Sequence, residues 1–423
     1  MLTENRSGQK AQLASKRAAA RGRTDTRPAA GQAALADLTS DAANGKHRSN
    51  VSYLNTRRRL MFVIEALSVG GAEHMVVDLA NEFARRGDVV HVVCLSELGE
   101  LSPRLSGDIT LHLMNKGRGI DRTIPFRLRE LVKKYRIQVV NSHLWTANLW
   151  TRLSLVRSGV PVVATEHNRD VWKRLHYRML DRLLSRATAR LIAVSADTAD
   201  FYKTDVGIRS DLIVVVNNGV DTGKYASGQG GELRDSLARD DEMLIGTVGR
   251  LATAKNHPRL VEASGILRER GLRVRTVIVG EGPQRAETEA KITELNLQDR
   301  VTLLGERSDV PDLLAAFDVF VLSSDREGHP LSALEAQAAG TPVVLTDAGG
   351  SADAVSRNED GYGGLLVDCT AEALAECLAD LIEQPDKLSA MADFAKAYAL
   401  QHFDKKMMID RYSEIFDSVH RGL

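Results

Sequence analysis

Two glutamates eight positions apart bracket the run Glu327-Gly328-His329-Pro330-Leu331-Ser332-Ala333-Leu334-Glu335. A carboxylate accepts hydrogen bonds in pairs, so two of them at the ends of a phosphate site suit the vicinal hydroxyls of a sugar and of a ribose. The phosphate site would be the helix start at Pro330. Its unpaired first-turn amides, roughly those of Leu331 to Ala333, favour an anion such as a diphosphate. Two cations fall in a second strand-to-helix turn, Gly249-Arg250-Leu251-x3-Lys255-Asn256-His257. Arg250 brings a fork of donors and Lys255 a point charge. Fixed positive charge there stabilises a phosphate on which charge builds as its bond to a sugar breaks. Taken one at a time, these residues have plainer readings: a solvated loop glutamate, a helix-capping glutamate and ordinary surface basics.

Such residues need strands that end along a common edge. Phe317 to Leu322 reads as a buried strand, Pro330 to Gly340 as a helix, and Val343-Val344 as the start of another strand. That unit puts its loop and helix start at the carboxyl edge of a parallel sheet, where open α/β sheets bind ligands. The alternation continues in both halves of the chain. Strands are expected at Leu60 to Ala66, Val89 to Leu95, Ile109 to Leu113, Val139 to Ser142, Val162 to Thr165 and Leu191 to Val194, then at Leu244 to Val248, Val274 to Val279 and Gly363 to Val367. The expected fold is α/β, with two doubly wound domains at 59–222 and 240–395. A polar, Gly-rich linker spans 223–239 and an amphipathic terminal helix occupies 396–423. Gly70 and Gly71 separate the first strand from the helix Met75 to Arg86, which suits close backbone approach and positive φ. Two strands end in histidine, at His143 and at His167. Each either enters a cleft or is a loop side chain bonded to nearby backbone.

The order of these motifs resembles the retaining, nucleotide-sugar-dependent glycosyltransferases of family 4. It rests on Glu327-x7-Glu335 in its full setting, on Gly70-Gly71-Ala72-Glu73, on Gly249-Arg250-Leu251-x3-Lys255-Asn256 and on Gly280-Glu281-Gly282-Pro283. The likeness covers about 59–420. It implies a GT-B architecture: an acceptor-side Rossmann-like domain, a nucleotide-sugar-binding Rossmann-like domain, a cleft between them and a last helix that crosses back. It also implies a donor site made by Gly70, Gly71, Arg250, Lys255, Asn256, Gly280, Asp309, Val310, Gly328, His329, Pro330, Leu331, Ser332 and Glu335. His167 and Glu327 would be the catalytic pair, and the loop at Asp309-Val310 would frame the nucleobase. No Asp-x-Asp metal motif is seen, which fits an enzyme without metal or other cofactor, the nucleotide-sugar being a co-substrate. His329 departs from the aromatic or aliphatic residue usual in relatives, so the subsite near the donor sugar is expected to differ. The implied acceptor is a saccharide or a lipid-linked one. Two rivals are a nucleotide-sugar 2-epimerase of the same fold, which needs further catalytic carboxylates, and a non-catalytic sugar-nucleotide-binding module, which would have lost Arg250, Lys255 or Glu327.

Charge and composition narrow the partners. Lys and Arg total 56 and so do Asp and Glu, so no overall field argues for nucleic acid. Three scattered cysteines suit a reducing, cytoplasmic compartment rather than a disulfide framework. Residues 1–58 hold almost no large apolar side chains and read as a disordered extension. A helix at 169–190, carrying Trp172, Tyr177 and many basic residues, could lie on an anionic membrane at the inner face of the cell. Otherwise its leucines and Met179 pack on the sheet beneath a solvated cationic face. No apolar run is long enough to span a bilayer.

Overall fold

The computed structural model describes residues 57–117 and 119–422. The expected N-terminal extension therefore lies outside them, apart from its last two residues. Of those, Arg58 is already folded: its guanidinium meets Asp88 at 2.7 Å and Asp417 at 3.0 Å.

Seven strands make the first sheet: β1 (Arg59–Ile64), β2 (Val89–Cys94), β3 (Thr110–Leu113), β4 (Val139–His143), β5 (Val162–Glu166), β6 (Arg190–Ala193) and β7 (Ile213–Val215). They run parallel in the order β3-β2-β1-β4-β5-β6-β7. Both faces are covered, so β4 and β5 are buried at every residue, apolar at their starts (Val139-Val140, Val162-Val163-Ala164) and polar at the carboxyl edge (Asn141-Ser142-His143, Thr165-Glu166). The helices that matter for the site are α1 (Gly71–Arg85), α2 (Ile124–Lys134), α3 (Trp145–Leu155), α4 (Leu175–Leu184) and α5 (Ala196–Thr204).

The second sheet runs parallel in the order β10-β9-β8-β11-β12-β15. Its strands are β8 (Met243–Val248), β9 (Val274–Val279), β10 (Val301–Gly305), β11 (Val319–Leu322), β12 (Val343–Thr346) and β15 (Gly364–Val367), with β13 (Arg357–Asn358) and β14 (Gly361–Tyr362) forming a small hairpin outside it. In both sheets the strand order reverses beside the first strand, between β1 and β4 and between β8 and β11. Loops leaving those strands diverge there and leave a crevice at the carboxyl edge. Two Rossmann-like domains of the GT-B kind result.

The 223–239 stretch is folded, not an open linker. It holds α6 (Thr222–Ala226) and α7 (Gly231–Leu237), with Tyr225 and Ala238 in the second domain's core. Gly228 and Gly230 let this segment press on the backbone of Pro311 and of Ala315-Ala316, where a Cβ would collide. The chain changes domain earlier, around Gly219-Val220, and again at Phe403-Asp404. These crossings pair with each other: Val220 N–H donates to Phe403 O at 2.8 Å, and Lys405 N–H donates to Val220 O at 2.8 Å. A Cβ on Gly219 would lie 2.6 Å from Lys405 Cα, so the close approach requires glycine.

Of the second domain's helices α8 (His257–Glu269), α9 (Arg285–Glu294), α10 (Val310–Ala316), α11 (Leu331–Ala339) and α12 (Ala371–Ile382), α8, α10 and α11 bear on the site. The later helix α13 (Pro385–His402) still belongs to that domain, through Met391 and Ala399. Only α14 (Lys405–His420) crosses back. Its Tyr412 and Phe416 are buried in the first domain, with the Phe416 ring 5.3 Å from that of Phe83.

The expected helix over 169–190 is shorter than its charge pattern suggested. Residues 169–174 are non-helical, and α4 covers ten residues. Nor do its apolar residues all pack on the sheet: Leu184 is buried, whereas Leu175, Met179 and Leu183 are 73%, 63% and 57% exposed. Lys173 belongs to neither alternative, being buried against Asp170, Asp181 and Tyr202.

Candidate active site

β11 delivers Glu327 to the crevice, and β8 delivers Arg250 and Lys255 beside it, because these two strands flank the reversal of strand order. The Lys255 ammonium meets Glu327 Oε1 at 2.7 Å, and Ser324 Oγ donates to the same oxygen. Glu327 is 8% exposed, and its backbone is held from both sides: its N–H donates to Ala348 O at 2.9 Å, and its carbonyl accepts from Gly350 N–H at 3.0 Å. Arg250 is exposed, and its guanidinium makes no hydrogen bond or ion pair among the described residues. Its charge remains available to a ligand.

α11 begins at Leu331 with Pro330 in the cap position. Of the three amides expected to be open, that of Ala333 donates to Pro330 O at 3.2 Å. A tight first turn consumes it, which leaves the N–H groups of Leu331 and Ser332 as the open ones at the helix start. Facing them across the cleft is the start of α1: a Cβ on Gly71 would touch Leu331 Cδ1 at 3.4 Å. Two helix N-termini thus converge, each with partial positive charge. The positive φ expected of Gly70-Gly71 is not used. Gly70 is extended (φ −174°), and the pair serves close approach alone. Glu73, the last residue of the Gly70-Gly71-Ala72-Glu73 motif, lies in the first turn of α1; burial raises its carboxyl, with its own backbone N–H, His74 and Arg250 opposing.

Glu335 lies further along α11 and accepts a hydrogen bond from Tyr225 Oη at 2.7 Å. Burial pushes the Glu335 carboxyl up, and the Tyr225 bond acts against that. Tyr225 falls in the segment read as linker, and no sequence signal marked it.

His167 follows β5 and is buried at 7% exposure. Gly328 stands directly against it: a Cβ there would overlap the His167 carbonyl, so the two domains meet at this point and only glycine fits. The Ala196 N–H at the start of α5 also crosses the cleft, donating to Asp353 Oδ2 at 2.5 Å.

Some expected donor residues do other work. Asn256 has φ +44° and caps α8, its Oδ1 accepting from Arg259 N–H at 3.3 Å, while its Nδ2 donates to Asp325. The His329 ring is buried, and its Nε2 donates to the Asp353 carbonyl at 3.2 Å. That ring braces the loop after β12. Asp309 forms a forked pair with Arg307 that holds its carboxyl below the ordinary range. With Val310 it sits past edge strand β10, two strand spacings or about 10 Å along the sheet from the Arg250 loop. Gly280 (φ +133°) packs against the Gly249 carbonyl in the intervening loop.

The sequence matches the family described as "Glycosyltransferase Family 4" over residues 69–224, and "Glycosyl transferases group 1" over residues 231–398. A D-inositol 3-phosphate glycosyltransferase of Actinosynnema mirum is 31% identical over 337 residues, covering 70% of this chain and 80% of its own. The chain belongs to the group 1 glycosyltransferases. This glycosyltransferase is also 31% identical over 248 residues to the UDP-Gal:alpha-D-GlcNAc-diphosphoundecaprenol alpha-1,3-galactosyltransferase of Escherichia coli, covering 56% of this chain and 64% of the relative. Among solved structures, Anabaena HepE in complex with UDP superposes with a TM-score of 0.75 at 23% identity, over 85% of this glycosyltransferase and all of HepE. That likeness concerns the fold.

Proposed function

We propose that this glycosyltransferase moves a hexosyl group from a UDP- or GDP-sugar, with retention at the anomeric carbon, to a hydroxyl of a saccharide or lipid-linked acceptor in cell-surface polysaccharide or glycolipid synthesis. The observation that carries the reading is the pairing of Lys255 with Glu327 at 2.7 Å, beneath the opposed starts of α1 and α11. In this reading the diphosphate rests on the Leu331 and Ser332 amides, with Arg250 and Lys255 taking the charge that develops as the C1–O bond breaks. No metal is called on. Glu335, oriented by Tyr225, receives the ribose hydroxyls. Glu327, oriented by Lys255 and Ser324, receives hydroxyls of the sugar, with His167 on the acceptor side. The E. coli relative's name, with its UDP-sugar donor and diphosphoundecaprenol-linked acceptor, favours the same chemistry.

Thermal melting with UDP, GDP and ADP tests the donor site, because a ligand of the folded state raises the midpoint by mass action. One nucleotide should raise it, since the bound ligand stabilises the folded state by RT ln(1 + [L]/Kd), about 2.7 kcal/mol at a hundredfold excess over Kd. The shift should vanish in Arg250→Ala and in Glu335→Ala. A shift with none of the three overturns the proposal.

The acceptor side is proposed to rest peripherally on an anionic bilayer. Between residues 120 and 190 there are fifteen Lys and Arg against five Asp and Glu, a local excess of ten on a chain with none overall. The same stretch holds Ile120, Phe126, Trp172, Leu175, Met179 and Leu183, all exposed. Apolar residues rimmed by arginines match a lipid interface. Co-sedimentation with phosphatidylglycerol vesicles should be lost on replacing Leu175, Met179 and Leu183 together by serine, while pure phosphatidylcholine should bind poorly. Equal binding of the variant and the wild type would rule this face out. Among the described residues no helix is long and apolar enough to cross a membrane.

A further inference from the structure

Next to His167 lies a second buried ring that the proposed reaction leaves without a task. His143 ends β4, fully buried, and its Nδ1 is 3.1 Å from His167 Nε2. Its other nitrogen, Nε2, is 2.7 Å from Asn141 Oδ1. The strand period of two puts Asn141 and His143 on one face of β4, and Val163 and Thr165 on one face of β5, with His143 and Thr165 in register.

The donors and acceptors of this row have one consistent assignment. Asn141 Nδ2 donates to the Val163 carbonyl and to Thr165 Oγ1, both at 3.0 Å. A carbonyl can only accept, so the amide cannot be turned round, and Oδ1 is the atom that faces His143. A neutral His143 then carries its single proton on Nε2 and presents a bare Nδ1. His167 must therefore carry its proton on Nε2. Its Nδ1 has no hydrogen-bond partner among the described residues.

We infer that His143 is a positioning residue for His167: through Asn141 it fixes the proton on His167 Nε2 and leaves the Nδ1 lone pair as the ring's group for a substrate hydroxyl. This rests on the acceptor-side role proposed above for His167. Burial supports it, since it lowers His167 to about 3 and His143 well below the ordinary value, so both rings stay neutral at working pH. The row continues to Tyr412 Oη of α14, 3.4 Å from Thr165 Oγ1, which ties the tautomer to the helix that crosses between domains. The turn after His143 is held in a costly conformation, Leu144 at φ +69° and ψ 158°, a region otherwise reserved for glycine.

Two readouts test the inference on the full chain. Long-range 1H–15N spectra of labelled protein should show His167 and His143 as Nε2–H tautomers. In His143→Phe the His167 signals should become a mixture, and kcat for sugar transfer should fall roughly 10- to 100-fold with donor KM changed less than about threefold, the scale of a misplaced reacting group. His143→Gln should recover most of kcat, since its amide can donate to Asn141 and accept from His167. Wild-type His167 protonated on Nδ1, wild-type kcat in His143→Phe, or equal losses in the Phe and Gln variants would each overturn the inference. The spectra do not require activity. Absent transfer from any UDP- or GDP-sugar would therefore sink the proposed function while leaving the tautomer assignment to stand or fall separately.

Discussion

Lys173→Met is expected to destabilise the first domain by about 3–5 kcal/mol, the scale for breaking a buried ion pair by removing one partner. The ammonium is wholly buried and touches Asp181 Oδ2 at 2.8 Å, Asp170 Oδ2 at 2.9 Å and Tyr202 Oη at 2.9 Å. Arg152, also wholly buried, meets Asp181 at 2.8 Å. Counting Glu166, three carboxylates share this interior with two cations. Burial pushes the Glu166 carboxyl up to about 7, and Lys173 is the first group opposing that rise. Removing Lys173 should lift it further. A carboxyl raised on folding contributes stability that is lost as pH rises toward its folded value. The deficit of the variant should therefore widen between about pH 7 and 9, where the wild-type group has finished titrating and the variant's has not. Urea midpoints for wild type and variant at pH 6, 7.5 and 9 measure this. A deficit below about 1 kcal/mol, or one that shrinks as pH rises, would show that the cluster does not hold the fold in this way.

Arg250→Ala should lower kcat/KM for sugar transfer roughly 10²- to 10³-fold, the loss typical of one preorganised group aimed at developing charge. The melting temperature should hardly move. The Arg250 side chain is exposed and has no hydrogen-bond or ion-pair partner among the described residues, so its removal breaks no bond and opens no cavity. Lys255→Ala is the instructive contrast: it removes a cation of the same site but also leaves Glu327, 8% exposed, without its counter-charge. Its kinetic loss should come with a measurable loss of stability. If Arg250→Ala keeps kcat/KM within about threefold of wild type, the leaving phosphate is stabilised by other groups, and the α1 and α11 amides would have to suffice.

Much of this was legible along the chain. Gly328-x-Pro330 between two apolar strands, and Arg250 five positions before Lys255, are short-range patterns. A strand-to-helix turn converts them into a site by itself, which is why the class of fold, the two domains and the Glu327–Lys255 locus could be expected from residue order. Gly328 shows the limit. Its local signature is a flexible loop, and only the folded chain reveals that it is there to admit the His167 carbonyl of the other domain.

What escaped the sequence depends on side chains that meet from distant strands or on polar residues that fold by burial. The stretch 223–239 is polar and Gly-rich, so composition alone suggested an open linker. Its glycines instead permit tight packing on α10, and Tyr225 reaches Glu335 from 110 residues away in sequence. The basic stretch at 169–190 was ambiguous for the same reason: charge along a sequence does not say which side chains point inward. Lys173 goes inside to three partners, whereas Leu175, Met179 and Leu183 go outside. Local periodicity and turn chemistry determined by themselves the elements and the edge where ligands meet them, because those depend on neighbours within a few residues. The tertiary structure alone decided which amides stay free, which carboxylate meets which cation, and which nitrogen of His167 carries the proton, because a hydrogen bond depends on its partner's position in space and not on its distance along the chain.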